Sequence, residues 1–194
     1  MIFDAVVLAG GRGSRLGGVA KPEVTVDGRR LVDIALAAAS GARRVVVVGD
    51  LAVPDGVLLT REDPPFGGPV AGLEAGMAAL GEAAEWTLVL ASDLPDAEAA
   101  VAALLASVPS PGHDGVCLLD ADGRLQWLLG CYRTAALRRR LAERGDPPLT
   151  AMYRLLEPLD LLGVQPSGAS VDDLDTPEDA ARWSQTKGHV EWRS

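Results

Sequence analysis

Three short runs constrain this chain more than anything else in it: Phe3 to Ala9 (FDAVVLA), Arg44 to Val48 (RVVVV) and Trp86 to Ala91 (WTLVLA). Each is apolar at nearly every position instead of alternate ones. A strand of that kind must bury both faces, which is the pattern of a parallel sheet covered by helices on both sides. The segments between supply the helices. Leu31 to Ser40 is rich in Ala and Leu and is expected to stop at Gly41 in a C′ position. Pro69 to Leu80 carries Val70, Leu73, Met77 and Leu80 at helical spacing, and Ala97 to Ser107 reads as the next helix.

Val57 to Thr60 is a further short strand. Gly115 to Leu119 and Gln126 to Tyr132 read as two strands paired around the turn Asp122-Gly123. Thr134 to Arg144 and Leu149 to Leu156 are helical, and Leu159 to Val164 is a last strand. Thr176-Pro177-Glu178-Asp179 opens a final helix: Thr176 suits the cap, Pro177 the first helical position, and the acids the first turn. Strands alternating with helices predict an α/β fold, a single-domain three-layer α/β/α with a mostly parallel, Rossmann-like sheet. Residues 1–185 are expected to form that domain, and the polar end, 186–194, to fray as a flexible tail.

A length of 194 residues suits one domain, and 48% hydrophobic residues supply a sizeable core, which excludes general disorder. The net charge of -9 excludes attraction to nucleic acid or anionic membranes through the overall field, so any anion must be held locally. Cys117 and Cys131 lie in apolar stretches and read as buried, reduced thiols; no His or Cys cluster has zinc spacing. No signal peptide or membrane-length apolar run is found, so a cytoplasmic protein is expected.

In parallel sheets, ligands sit beyond the carboxyl ends of the strands. Unusual sequence lies there. Residues 8 to 22 read Leu8-Ala9-Gly10-Gly11-Arg12-Gly13-Ser14-Arg15-Leu16-Gly17-Gly18-Val19-Ala20-Lys21-Pro22. Five glycines directly after a buried strand let backbone amides converge on an anion, and Arg12, Arg15 and Lys21 make the spot basic in an acidic protein. The chain has 16 Arg but only two Lys, Lys21 and Lys187. Lys21 therefore marks a place where a compact ammonium is needed. The Walker A pattern fails at Val19, and the dinucleotide fingerprint fails at Leu16. Phosphate binding is the chemistry that fits these glycines and cations; the plainer alternative is a tight surface turn with solvated arginines.

Asp93 follows the strand Trp86 to Ala91 in Ser-Asp-Leu-Pro, where a carboxylate can hold Mg²⁺ beside a triphosphate; Asp96 is better placed to cap the next helix. Five acids, Asp172, Asp173, Asp175, Glu178 and Asp179, fall within 171–179, and most read as a solvated helix start. Phe66-Gly67-Gly68-Pro69-Val70-Ala71-Gly72 opens a helix with small residues, so Gly68 and the free amides there admit a ligand closely.

The pattern L-A-G-G-x-G-x-R-L-G…K-P resembles the signature of nucleotidyltransferases that include sugar-phosphate nucleotidylyltransferases and molybdenum cofactor guanylyltransferases. Gly-Pro-Val-Ala-Gly is similar to an element of the latter, and residues 126–133 to a later segment, although Gln126-Trp127 stands where that family has Pro. The matches cover most of residues 4 to 184. The resemblance implies the fold of nucleotide-diphospho-sugar transferases and transfer of GMP from GTP to molybdopterin, with release of pyrophosphate. It implies Lys21, Arg15 and Asp93 as catalytic residues. It implies nucleotide binding by Leu8, Ala9, Gly10, Gly11, Arg12, Gly13, Lys21, Asp63, Gly68 and Asp93. It implies Mg²⁺ on Asp93 and Asp175, the latter through Leu-Asp-Thr-Pro-Glu-Asp. Asp63 also reads as a turn residue before two prolines. Molybdoenzymes or cofactor-insertion proteins are implied as partners.

The chain departs from the pattern at Ala20 and Pro22 around the Lys, and at Val48-Gly49-Asp50, where some members carry a nucleotide-contacting Asn. Cytidylyl transfer to the same pterin, nucleotidyl transfer to a sugar or lactyl phosphate, and a non-catalytic nucleotide-binding homologue stay open.

Overall fold

A computed structural model describes residues 1–10, 23–108, 112–143, 145, 151–166, 168–174 and 176–191. Strands β1 (Phe3–Leu8), β4 (Val45–Val48), β5 (Leu58–Thr60), β6 (Trp86–Ala91), β7 (Gly115–Leu119), β8 (Leu125–Arg133) and β9 (Leu161–Val164) form a seven-stranded sheet in the order β5-β4-β1-β6-β8-β7-β9. All neighbours run parallel except where β8 meets β6 and β7. The three apolar runs pick themselves out as the middle of the sheet, with β1 flanked by β4 and β6.

Period-two side-chain alternation divides the sheet into two cores. Phe3, Ala5 and Val7 of β1 join Val47, Trp86, Leu88 and Leu90 on one face, beneath α1 (Leu31–Ala38) and α3 (Ala97–Leu105). Val6, Val46, Val48 and Val89 point to the other face, beneath α2 (Pro69–Leu80), α4 (Thr134–Ala142) and α5 (Met152–Leu156). This is the expected three-layer α/β/α arrangement. The β7–β8 pair turns at Gly123, whose φ of 77° is easy only for glycine.

Helix α2 lies unusually close to the sheet. A Cβ at Gly76 would stand 2.5 Å from Val6 Cγ1 and 3.1 Å from Val48 Cγ2, so a glycine is needed for the helix to pack there. That close approach sets the start of α2 over the carboxyl ends of β1 and β4.

Helix α1 ends at Ala38, and Gly41 lies beyond its C′ position; the Ala39 amide closes the last turn on Ala35 and the Ser40 amide bonds Ala37. The last helix, α6 (Pro177–Thr186), starts with the expected cap: Thr176 Oγ1 accepts from the Asp179 amide, and the Asp179 carboxylate accepts from the Thr176 amide. Asp96 occupies the N-cap of α3, but its carboxylate makes no cap bond. It accepts instead from the Ser170 amide at 2.9 Å and Lys187 Nζ at 2.8 Å, tying both sides of α6 to α3.

A small second sheet has no counterpart in the sequence reading. Strand β2 (Thr25–Val26) pairs with β3 (Arg29–Arg30) and with β10 (Val190–Glu191). Two residues of the polar end expected to fray therefore form a strand. Among the described residues, no helix is long and apolar enough to cross a membrane.

Candidate active site

The chain leaves β1 towards β4 and leaves β6 towards β7, so the two central strands diverge after their carboxyl ends. Such a switch point opens a crevice in a parallel sheet. Leu8 pairs with Ala91, and the Ser92 amide donates to the Leu8 carbonyl at 3.1 Å. Gly10 and Asp93 therefore emerge side by side. Both line a cavity of about 360 Å³ whose walls also include Leu8, Val48, Glu62, Phe66 and Gly68.

Each wall has a local cause. Ala9 is buried, its amide bonded to the Val48 carbonyl at 2.9 Å, so the chain leaves the sheet only at Gly10. Gly68 has φ 89° and starts α2, with Pro69 in the first turn, so the helix N-terminus opens at the cavity. The next amides of a helix start have no helical partner, which suits an anion.

Asp93 also borders a second cavity, of about 490 Å³, which shares Pro69, Ala91 and Leu128 with the first. Its other walls include Gln126, Trp127, Tyr153 and Asp173. Trp127 is held through its backbone: the buried Tyr132 hydroxyl donates to the Trp127 carbonyl at 2.7 Å, and Cys117 Sγ lies 2.9 Å from the Tyr132 hydroxyl oxygen. Gln126 Nε2 donates to Asp120 at 2.9 Å. The segment carrying Asp173 is docked by the Leu174 amide, which donates to the Asp93 carbonyl at 3.0 Å. Asp93 and Asp173 thus both border the second cavity. Among the described residues, no group of three or more His, Cys, Asp or Glu is placed to hold a metal.

Of the residues singled out from the sequence, Leu8, Gly10, Gly68 and Asp93 line the first cavity, with Ala9 directly beneath. Asp63 is exposed and is not among the lining residues; the neighbouring Glu62 takes that wall. The path of the loop after β5 turns one of two adjacent carboxylates inward, which no spacing rule reveals. Gly11, Arg12, Gly13, Arg15, Lys21 and Asp175 lie outside the described residues. Sequence reasoning passed over Glu62, Phe66, Trp127, Tyr153 and Asp173. Glu62, Phe66 and Asp173 lie in loops and Trp127 and Tyr153 within β8 and α5, positions shared with many residues that do nothing.

Residues 5–161 match the family model described as a MobA-like NTP transferase domain. A molybdenum cofactor guanylyltransferase of Serratia proteamaculans is 29% identical over 204 residues, covering 96% of each chain. One of Acidiphilium cryptum is 37% identical over 139 residues, covering 68% of this chain and 67% of that protein. The crystal structure of molybdopterin-guanine dinucleotide biosynthesis protein A from Archaeoglobus fulgidus superposes with a TM-score of 0.72 at 22% identity, covering 94% of this chain and 97% of that one.

Proposed function

The chain belongs to the MobA-like NTP transferase family and is a nucleotidyltransferase, and on that premise we propose that it transfers GMP from GTP to molybdopterin, releasing pyrophosphate. The observation that carries the proposal is the shared wall: Gly10, Asp93 and the start of α2 face one cavity, and Asp93 faces a second beside it. The first cavity takes the nucleotide and the second the acceptor, so the reacting phosphates meet at Asp93.

The acceptor's terminal phosphate oxygen attacks the α-phosphorus in line. The bond from the α-phosphorus to the bridging oxygen breaks, and pyrophosphate leaves with that electron pair. No protein nucleophile is required. The chain's part is to position both phosphates and to offset charge. Lys21, Arg15 and the amides of residues 10–13 are assigned to the triphosphate. The walls of the two cavities carry Glu62, Asp93 and Asp173, so an anionic substrate needs cations there.

Oxygen donors from few carboxylates suit Mg²⁺, which keeps several waters and shares its shell with substrate phosphates. We assign Asp93 and Asp175 to it, and add Asp173, which borders the second cavity with Asp93, as a further oxygen donor. A bound Mg²⁺ would offset charge on the α-phosphate and the departing pyrophosphate.

The test is incubation with Mg²⁺, molybdopterin and each of GTP, CTP, UTP and ATP, reading pterin dinucleotide and pyrophosphate. Formation from GTP, lost in Lys21→Ala and Asp93→Ala, is the expected result. No dinucleotide from GTP overturns guanylyl transfer, and formation from CTP moves the chain to cytidylyl transfer. Unchanged turnover in both variants overturns the mechanism for any substrate.

A further inference from the structure

The loop between β5 and α2 holds a feature that phosphate binding does not use. Phe66 has φ 66°, in the left-handed region that a bulky side chain rarely adopts. The residue is 55% exposed, although it belongs to the wall of the first cavity. Among the described residues, contacts from Glu62 and Arg61 help to hold this arrangement. Glu62 Oε1 accepts from the Phe66 amide at 3.0 Å, closing the loop across four residues. The Arg61 guanidinium lies 5.5 Å from the centre of the Phe66 ring and is itself paired with Asp50 at 3.1 Å. A half-exposed aromatic residue on a cavity wall, in a backbone conformation uncommon for its type, is a candidate for ligand contact.

The same bond fixes the Glu62 carboxylate, which shares that wall with Gly10. A Cβ at Gly10 would stand 3.8 and 4.0 Å from the two Glu62 oxygens. With glycine there, no side chain from the end of β1 covers the carboxylate.

Ionised carboxylates only accept hydrogen bonds. Among the four common bases, guanine alone offers two adjacent donors on one edge, N1–H and the 2-amino group. Uracil sets its single N–H between two carbonyls. Cytosine and adenine set their amino group beside an acceptor nitrogen. Resting on the nucleotide assignment above, we infer that Glu62 and Phe66 form the base-reading end of the first cavity. Phe66 stacks on the base, and Glu62 accepts the paired donors of guanine. Glu62 is the specificity-determining residue, and Phe66 supplies affinity for any base.

The test measures binding of GTP, ITP, ATP and CTP to the full-length protein and to Glu62→Gln and Phe66→Ala. ITP lacks only the 2-amino group. Wild type is expected to bind GTP most tightly, with ITP weaker by about tenfold. Glu62→Gln keeps an acceptor for the Phe66 amide. It is expected to weaken GTP by about tenfold, to leave CTP nearly unchanged, and to erase the GTP–ITP difference. Phe66→Ala is expected to weaken all four by a similar factor, about tenfold, because every base has a π face. Should Glu62→Gln fail to fold, the GTP–ITP comparison in wild type decides. Equal binding of GTP and ITP, or a GTP preference intact in Glu62→Gln, overturns the inference alone. A protein that binds no triphosphate overturns the proposed function with it.

Discussion

The backbone amide of Leu174 donates to the carbonyl oxygen of Asp93 across 3.0 Å. These residues are 81 positions apart, and the bond brings the acidic segment before α6 against the end of β6. Leu174 is buried, so its side chain anchors what its amide aligns. Asp173 thereby reaches the cavity that Asp93 also borders. That both carboxylates border one cavity is a product of this docking.

Asp93→Asn keeps the shape of the side chain but removes its charge. Turnover is expected to fall by about two orders of magnitude, with the melting temperature little changed. Steady-state pyrophosphate release, run beside a thermal melt, checks both halves. Turnover within a factor of two of wild type would remove Asp93 from the chemistry.

Trp127 lines the second cavity and not the first. Trp127→Ala is expected to raise KM for the acceptor by about tenfold while leaving the Kd for nucleotide unchanged, because a stacking surface is lost on one side only. Initial rates at varied acceptor concentration, with nucleotide titration in parallel, separate the two. A matching loss in nucleotide affinity would mean that the cavities do not divide the substrates.

Asp4 is fully buried at the opposite end of β1. It accepts from Arg43 at 2.8 and 3.0 Å and from the Ala84 amide at 2.7 Å. Burial alone would raise its pKa. The hydrogen bonds from Arg43 and the Ala84 amide, with the charges of Arg43 and Arg44, outweigh burial and hold it below the ordinary 3.8. A lowered carboxylate pKa contributes stability above the unfolded value, and that stability is lost as pH falls through the folded value. Asp4→Ala is expected to cost about 2 kcal/mol at pH 7, and the gap to wild type should narrow as pH drops below 3.8. Urea unfolding at pH 7 and pH 3 measures it.

Gly76→Val places a branched side chain where a Cβ already meets Val6 Cγ1 at 2.5 Å. Helix α2 must then lift from β1 and β4, at a cost of about 2 kcal/mol. Its start lines the nucleotide cavity, so the Kd for nucleotide is expected to rise as well. Denaturant unfolding and nucleotide titration read the two effects from one variant.

Cys117 and Cys131 are both buried, as their apolar surroundings foretell. Burial pushes each thiol up to about 12, opposed at Cys117 by the Tyr132 hydroxyl and reinforced at Cys131 by Cys117. Thiolate is the reactive form, so neither is expected to react with a thiol reagent in the native protein at pH 8. Both should label once the chain is unfolded in urea. Rapid native labelling would contradict the burial.

The central sheet was written into local sequence. Runs such as Trp86 to Ala91 bury both faces and declare it, and α2 begins and ends at Pro69 and Leu80 as its periodicity requires. The cap at Thr176 is equally local, because its donors and acceptors lie within four residues. The ends of β1 and β6 are equally legible in the sequence, which puts Gly10 and Asp93 just beyond them. Long-range contacts settled the rest. Two-residue strands carry no periodicity, so the pairing of Val26 with Val190 had no sequence signal. Asp96 looked like a helix cap, but Ser170 and Lys187 arrive from a distant segment and claim it. Glu62 and Asp63 are chemically alike neighbours; only the backbone path after β5 turns Glu62 to the cavity. Local physics chose the elements and the strand ends, whereas the facing of individual side chains had to wait for segments far apart in the chain to meet.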